Sequence, residues 1–93
     1  MQFDANTGLC VPDWFAADPK HAAFILNRVT DVDVAARLCK KQAVAVQAGG
    51  YVGLWPLRLA KFFSVVHTFE PVRSNFECLT INTRRVPGIV PYE

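Results

Sequence analysis

No stretch of this sequence approaches the roughly 20 consecutive apolar residues that a bilayer-spanning helix needs, so nothing in it reads as a membrane anchor. Cysteine is scarce and poorly placed for a framework: Cys10, Cys39 and Cys78 are odd in number, far apart and without C-x-x-C spacing. Such a set argues against a disulfide scaffold or a zinc site and suits free, packed thiols in a reducing compartment. The start, Met1-Gln2-Phe3-Asp4, lacks the basic residues and apolar core of a secretory signal. A soluble cytoplasmic protein is the expectation. A dominant charge is lacking too. Ten basic against eight acidic residues give a net charge of +2. Apart from Lys40-Lys41 and Arg84-Arg85 the basic ones are scattered, which argues against a nucleic-acid-binding surface. Neither His21 nor His67 has metal-ligand spacing to a partner, so no metal site is expected, and His67 reads as a hydrogen-bonded structural histidine in a buried strand. No Ser-His-acid set or carboxylate pair can be assembled.

What is present is the composition of a folded interior, 52% hydrophobic with 19% charged residues. The 93 residues make one domain at most, fewer than a doubly wound sheet covered on both faces ordinarily takes. Residues 1–42 read as a lead-in: turn formers and isolated aromatics, a short strand near Leu9 to Val11, and a helix start at Asp18-Pro19. His21 to Val29 is apolar enough for a helix or a buried strand. Thr30-Asp31-Val32-Asp33 fits a capping box opening a short amphipathic helix that ends near Lys41, with Asp33 and Arg37 at i,i+4.

Residues 43–93 alternate differently. Ala43-Val44-Ala45-Val46 is small, β-branched and without polar alternation, as expected of a central parallel strand buried on both faces. Gly53 to Phe63 reads as a helix with Pro56 in its first turn, and Ser64 to Phe69 repeats the strand pattern. Ser74-Asn75-Phe76-Glu77 matches a second capping box, opening a helix to about Arg84, and Gly88 to Tyr92 starts a third apolar run. Trp55, Phe62, Phe63, Phe69 and Phe76 are expected in the core, as are the thiols of Cys39 and Cys78. Strand, helix, strand, helix, strand is the first half of an open, Rossmann-like α/β parallel sheet with right-handed crossovers.

The chemistry concentrates between the first strand and its helix. Gln47-Ala48-Gly49-Gly50-Tyr51-Val52-Gly53 supplies a tight turn whose glycines let a ligand approach backbone, while the following helix directs free N–H groups at it. Glu70 follows Gly53 by seventeen residues, at the tip of the next strand, where a carboxylate can accept from ribose hydroxyls. No Gly-Lys-Ser/Thr follows the turn, which excludes a phosphate-binding P-loop. Ala48-x-Gly50-x-x-Gly53 is one residue from the dinucleotide fingerprint. A nicotinamide or flavin dinucleotide and S-adenosylmethionine both remain open on these residues.

The run Ala45 to Pro56, then Thr68-Phe69-Glu70-Pro71, then Asn75-Phe76, Leu79 and Asn82, resembles the amino-terminal half of FkbM-type S-adenosylmethionine-dependent methyltransferases. That family has a strand ending in Asp-x-Gly-Ala-Asn-x-Gly, a second ending in Phe-Glu-Pro, and a helix with Asn, aromatic and Leu-x-x-Asn positions. The resemblance implies a truncated methyltransferase fold with S-adenosylmethionine as cofactor. Gly49 and Gly53 would lie against the methionine part, Gly50 beside them, and Glu70 on the ribose; the acceptor oxygen would belong to a small or sugar-like molecule. Gln47 stands where an acid is usual and Tyr51 where asparagine is usual, so Gln47 offers no carboxylate to the cofactor's ammonium and Tyr51 lines the site. The catalytic residues of such a domain fall outside the resemblance. Two other functions fit the same residues: an NAD(P)- or FAD-binding oxidoreductase fragment, and a non-catalytic interaction domain that self-associates through an open sheet edge near Gly88 to Tyr92.

Overall fold

A computed structural model describes the chain from Met1 to Glu93. It opens with an antiparallel pair, β1 (Gln2–Asp4) and β2 (Leu9–Val11). Between them the Asp4 carboxylate accepts from the Thr7 amide at 2.9 Å and the Thr7 hydroxyl at 2.7 Å. These bonds, the hydroxyl's foremost, hold the Asp4 carboxyl below its ordinary range. The expected strand near Leu9 is present, and β1 is the partner that the sequence did not announce.

Three helices follow: α1 (Asp13–Ala16), α2 (Pro19–Arg28) and α3 (Thr30–Arg37). The ambiguity over His21 to Val29 resolves as helix, because Asp18 caps it by accepting from the His21 amide at 3.0 Å and Pro19 takes the first helical position. The capping box at Thr30 does not form. Val29 is itself helical in backbone, so Thr30 enters α3 already wound and its hydroxyl donates back to the Asn27 carbonyl at 3.3 Å. Asp33 bonds across to Arg58, accepting from its Nε at 2.6 Å.

The sheet consists of β3 (Val44–Ala48), β4 (Val65–Phe69) and β5 (Ile89–Tyr92), all parallel, in the order β3-β4-β5. Its crossovers are α4 (Leu54–Leu59) and α5 (Arg73–Thr83). This is the Rossmann-like α/β arrangement expected. Helix α4 is shorter than Gly53 to Phe63, because its last turn tightens: the Lys61 and Phe62 amides donate three residues back, to Arg58 and Leu59. The second capping box is absent as well. The start of α5 is fixed by Glu70, which accepts from the Val72 amide at 2.9 Å, while Glu77 pairs with Arg73 one turn away.

Because consecutive strands lie side by side in direct order, right-handed crossovers place both helices on one face. There Val66 packs with Ala36 and Phe63, supported by Ala45, Leu59 and Ile89. The register puts Val44, Val46 and Ala48, then His67 and Phe69, then Val90 and Tyr92 on the opposite face. That face is bare. Val46 retains 73% of its surface, and Phe69, expected in the core, lies outside it, stacked on Tyr92 at 4.6 Å. The expectation of a central strand buried on both sides is thus corrected: β3 is an edge strand covered on one side. His67 is half-buried, bonded through Nδ1 to the Tyr92 hydroxyl at 3.0 Å. Cys39 is exposed because α3 stops before it, whereas Cys78 is buried, its thiol pushed up to about 11, by burial first and then by Cys10.

A second core joins the lead-in to the turn after β3: Val11, Phe15, Val52 and Cys78 pack together. Asn82 of α5 pins it, accepting from the Cys10 amide and donating to the Cys10 and Val52 carbonyls at 2.7 to 2.8 Å. No helix is long and apolar enough to cross a membrane.

Candidate functional site

Beyond Ala48 the chain turns sharply, and the amides of Gly49 and Gly50 both donate to the Phe69 carbonyl at 2.8 Å, tying the turn to the end of β4. Gly49 sits at φ 80° with nothing within 4 Å of where a Cβ would stand, so its backbone is open to a ligand. Gly50 is required for a different reason. A Cβ there would meet Thr68 Oγ1 at 2.4 Å and Leu79 Cδ2 at 2.9 Å. An alanine there would force Thr68 to shift, and the Thr68 hydroxyl donates to Gln47 Oε1 at 2.6 Å. Gln47, Gly50 and Thr68 are thus physically linked through one hydroxyl.

The amide of Gln47 is turned onto its own turn, Nε2 donating to the carbonyls of Gly49 at 2.6 Å and Ala48 at 3.3 Å. Tyr51 takes φ 55°, a left-handed conformation costly for a bulky residue. Its amide donates to Glu70 Oε2 at 2.7 Å, which holds it there. The phenol meets His21 Nε2 at 3.2 Å, and its ring packs at 5.7 Å from Trp14 and 6.0 Å from Phe15. Burial first, and then the charges of Glu70 and Asp18, push this phenol up to about 12, so it stays protonated.

Glu70 is buried, with 4% of its surface exposed. Besides Tyr51 it accepts from the Val72 amide at 2.9 Å and Asn75 Nδ2 at 3.4 Å. Three of about four acceptor positions of the carboxylate are thus engaged, and Glu70 staples the glycine turn to the start of α5. Asn75 Oδ1 beside it is buried with no partner.

A cleft of about 370 Å³ opens against the turn. One wall is the chain from Gln47 to Tyr51, another is Leu54 and Trp55 of α4, and the third is Phe24, Ile25 and Arg28 of α2. Of the residues singled out in the sequence, Gln47, Gly49, Gly50 and Tyr51 meet in this cleft. Gly53 does not line it: at φ 105° it backs onto Thr83, Leu79 and Asn82, where it permits close approach of α5. Glu70 also lies behind the wall. Trp55, expected in the core, lines the cleft. No motif in the sequence pointed to α2, whose Phe24, Ile25 and Arg28 recur at the i, i+1, i+4 spacing of a single helix face.

No protein-family model and no curated protein matches this sequence. Solved structures do share the fold. Trm5b from Pyrococcus abyssi superposes with a TM-score of 0.57 at 20% identity, over 67% of this chain and 19% of that one. TYW2 from M. jannaschii, with AdoMet bound, gives 0.57 at 18%, over 69% and 31%. Phosphoethanolamine N-methyltransferase 1 from Haemonchus contortus, in complex with phosphoethanolamine and S-adenosylhomocysteine, gives 0.57 at 17%, over 69% and 14%. The chain shares the Rossmann-like α/β fold of these structures over about two thirds of its length. It spans between 14% and 31% of the length of these three structures.

Proposed function

We propose that this chain is the amino-terminal, cofactor-holding part of an S-adenosylmethionine-dependent methyltransferase of FkbM type. Oxygen on a small or sugar-like molecule is the methyl acceptor. The observation that carries this reading is the open cleft at the glycine turn of a sheet shared with one protein that binds AdoMet and another that binds S-adenosylhomocysteine. The residues fit such a group: Gly49 leaves backbone accessible, and the wall of Ile25, Leu54 and Trp55 suits an aliphatic chain. Glu70, expected on the ribose, keeps about one acceptor position, but it and the unpartnered Asn75 Oδ1 are buried behind the wall, so a ribose hydroxyl reaches neither through the cleft as it stands. When bound, S-adenosylmethionine supplies a methyl group for in-line displacement, in which a protein contributes chiefly by positioning. Tyr51, protonated and held by Glu70 and His21, keeps the turn in shape and excludes water from one side.

Titration calorimetry with S-adenosylhomocysteine and with NADH tests the reading. Weak binding of the former and none of the latter is expected, with no methyl transfer by these 93 residues. Preference for NADH would favour the oxidoreductase reading, and a ligand-indifferent oligomer formed through the β5 edge would favour an interaction domain.

A further inference from the structure

We propose that the cleft recognises its ligand through a carboxylate, and that Arg28 is the residue that reads it. The identity of the ligand as S-adenosylmethionine rests on the preceding reading; the sign of the charge that the cleft selects does not.

The charge inventory of the wall is one-sided. Arg28 is the single charged side chain among the residues that line the cleft. Gln47, at the position where an acid would attract an ammonium, has both Nε2 protons committed to backbone carbonyls and Oε1 already accepting from Thr68. Glu70, the nearest acid of the turn, is buried behind the wall and engaged by three donors. A ligand's ammonium therefore finds no carboxylate here, while a ligand's carboxylate finds a guanidinium.

Arg28 is also free to act. Its ion pair with Asp31 is long, 3.8 Å from Nε to Oδ2, and both side chains are more than half exposed, a geometry that contributes little. The guanidinium lies 5.4 Å over the Phe24 ring. Such stacking orients the planar group without consuming its N–H donors, leaving the fork available for a bidentate carboxylate. Phe24 and Arg28 are one turn apart on α2, so the helix presents the aromatic support and the cation together. The apolar remainder of the wall, Ile25, Leu54 and Trp55, suits the methylene and thioether segment leading to that carboxylate. The chemical class is an aliphatic chain ending in a carboxylate, as in the amino-acid end of S-adenosylmethionine, with the amino group left unread.

The test is an NMR titration of the 15N-labelled chain with S-adenosylhomocysteine, its decarboxylated analogue and its deaminated analogue. Removing the carboxylate is expected to weaken binding about tenfold, as for the loss of one charged hydrogen-bonded pair, and removing the amine less than about twofold. Arg28→Gln should erase the difference between the first two ligands, Arg28→Lys should restore part of it, and Asp31→Asn should tighten both carboxylate ligands. Equal binding of the parent and decarboxylated ligands, or a preference that survives Arg28→Gln, overturns the proposal. Should no adenosyl ligand bind, 4-(methylthio)butanoate decides. A shift at Arg28 Nε in the parent together with a Trp55 indole shift that is lost in Arg28→Gln keeps the carboxylate subsite and removes the methyltransferase reading; no shift removes both.

Discussion

Val46 and Val66 lie on adjacent strands of one parallel sheet, yet Val66 has no exposed surface while Val46 keeps 73% of its own. The residue type is the same and both belong to short β-branched runs; β3 is the edge strand and β4 the central one, but edge position does not decide the contrast, since His67 and Phe69 of β4 on Val46's face are not buried either. What separates them is the face. Two right-handed crossovers in direct strand order deliver α4 and α5 to the side of Val66 and nothing to the side of Val46. Burial in this chain is decided by the handedness of connections before it is decided by composition. It follows that the functional turn is braced from one side only, through Thr68 and Leu79 under Gly50 and through the Glu70 staple.

The sharpest way to break this comparison is to put the same charge on each face. Val66→Asp should unfold the chain, because an unpaired carboxylate in the packed layer costs several kcal/mol. Val46→Asp should stay within about 0.5 kcal/mol of the parent, as surface changes do. Urea unfolding midpoints compare the two, and equal losses would mean that the bare face is covered in solution. Next in size is Gly50→Ala, which forces a methyl into Thr68 and Leu79 and should cost about 1–3 kcal/mol. Adding Thr68→Ala should recover a large part of that loss, and a strictly additive double mutant would disprove the coupling of these positions.

The smallest effect concerns the helix layer. The Arg58 guanidinium, by direct hydrogen bonding first, holds the Asp33 carboxyl below its ordinary value near 3.8. A depressed folded-state value means that the contribution of this clamp between α3 and α4 is complete above that ordinary value. It is lost as pH falls through the lower, folded one. Asp33→Asn should therefore flatten the acid limb of a stability–pH profile below about pH 4 and leave the slope near neutrality unchanged.

The order of elements was legible because Ala43 to Val46, Gly53 to Phe63 and Ser64 to Phe69 each carry their own local pattern. The glycine turn was legible because backbone freedom leaves a mark in composition. Both capping boxes misled, since the motif is local and the outcome was not: Val29 carried one helix into the next, and Glu70 had already fixed the start of α5. The edge position of β3 depends on strand order, to which a five-residue run is blind. The α2 wall of the cleft escaped notice because Arg28 and Gln47, nineteen residues apart, meet only once the lead-in has docked.

That docking carries a cost in chain entropy. The bonds from Asn82 to Cys10 close a separation of 72 residues, among the least favourable closures this chain can make, whereas β3 and β4 meet across a single crossover. On this ground the lead-in is expected to be released before the sheet opens, and the cleft with it. Amide exchange should find Cys10 opening well before Val66, and any ligand that bridges α2 to the glycine turn should slow Cys10 selectively, adding a clasp to the Val11, Phe15, Val52 and Cys78 core and the Asn82 bonds.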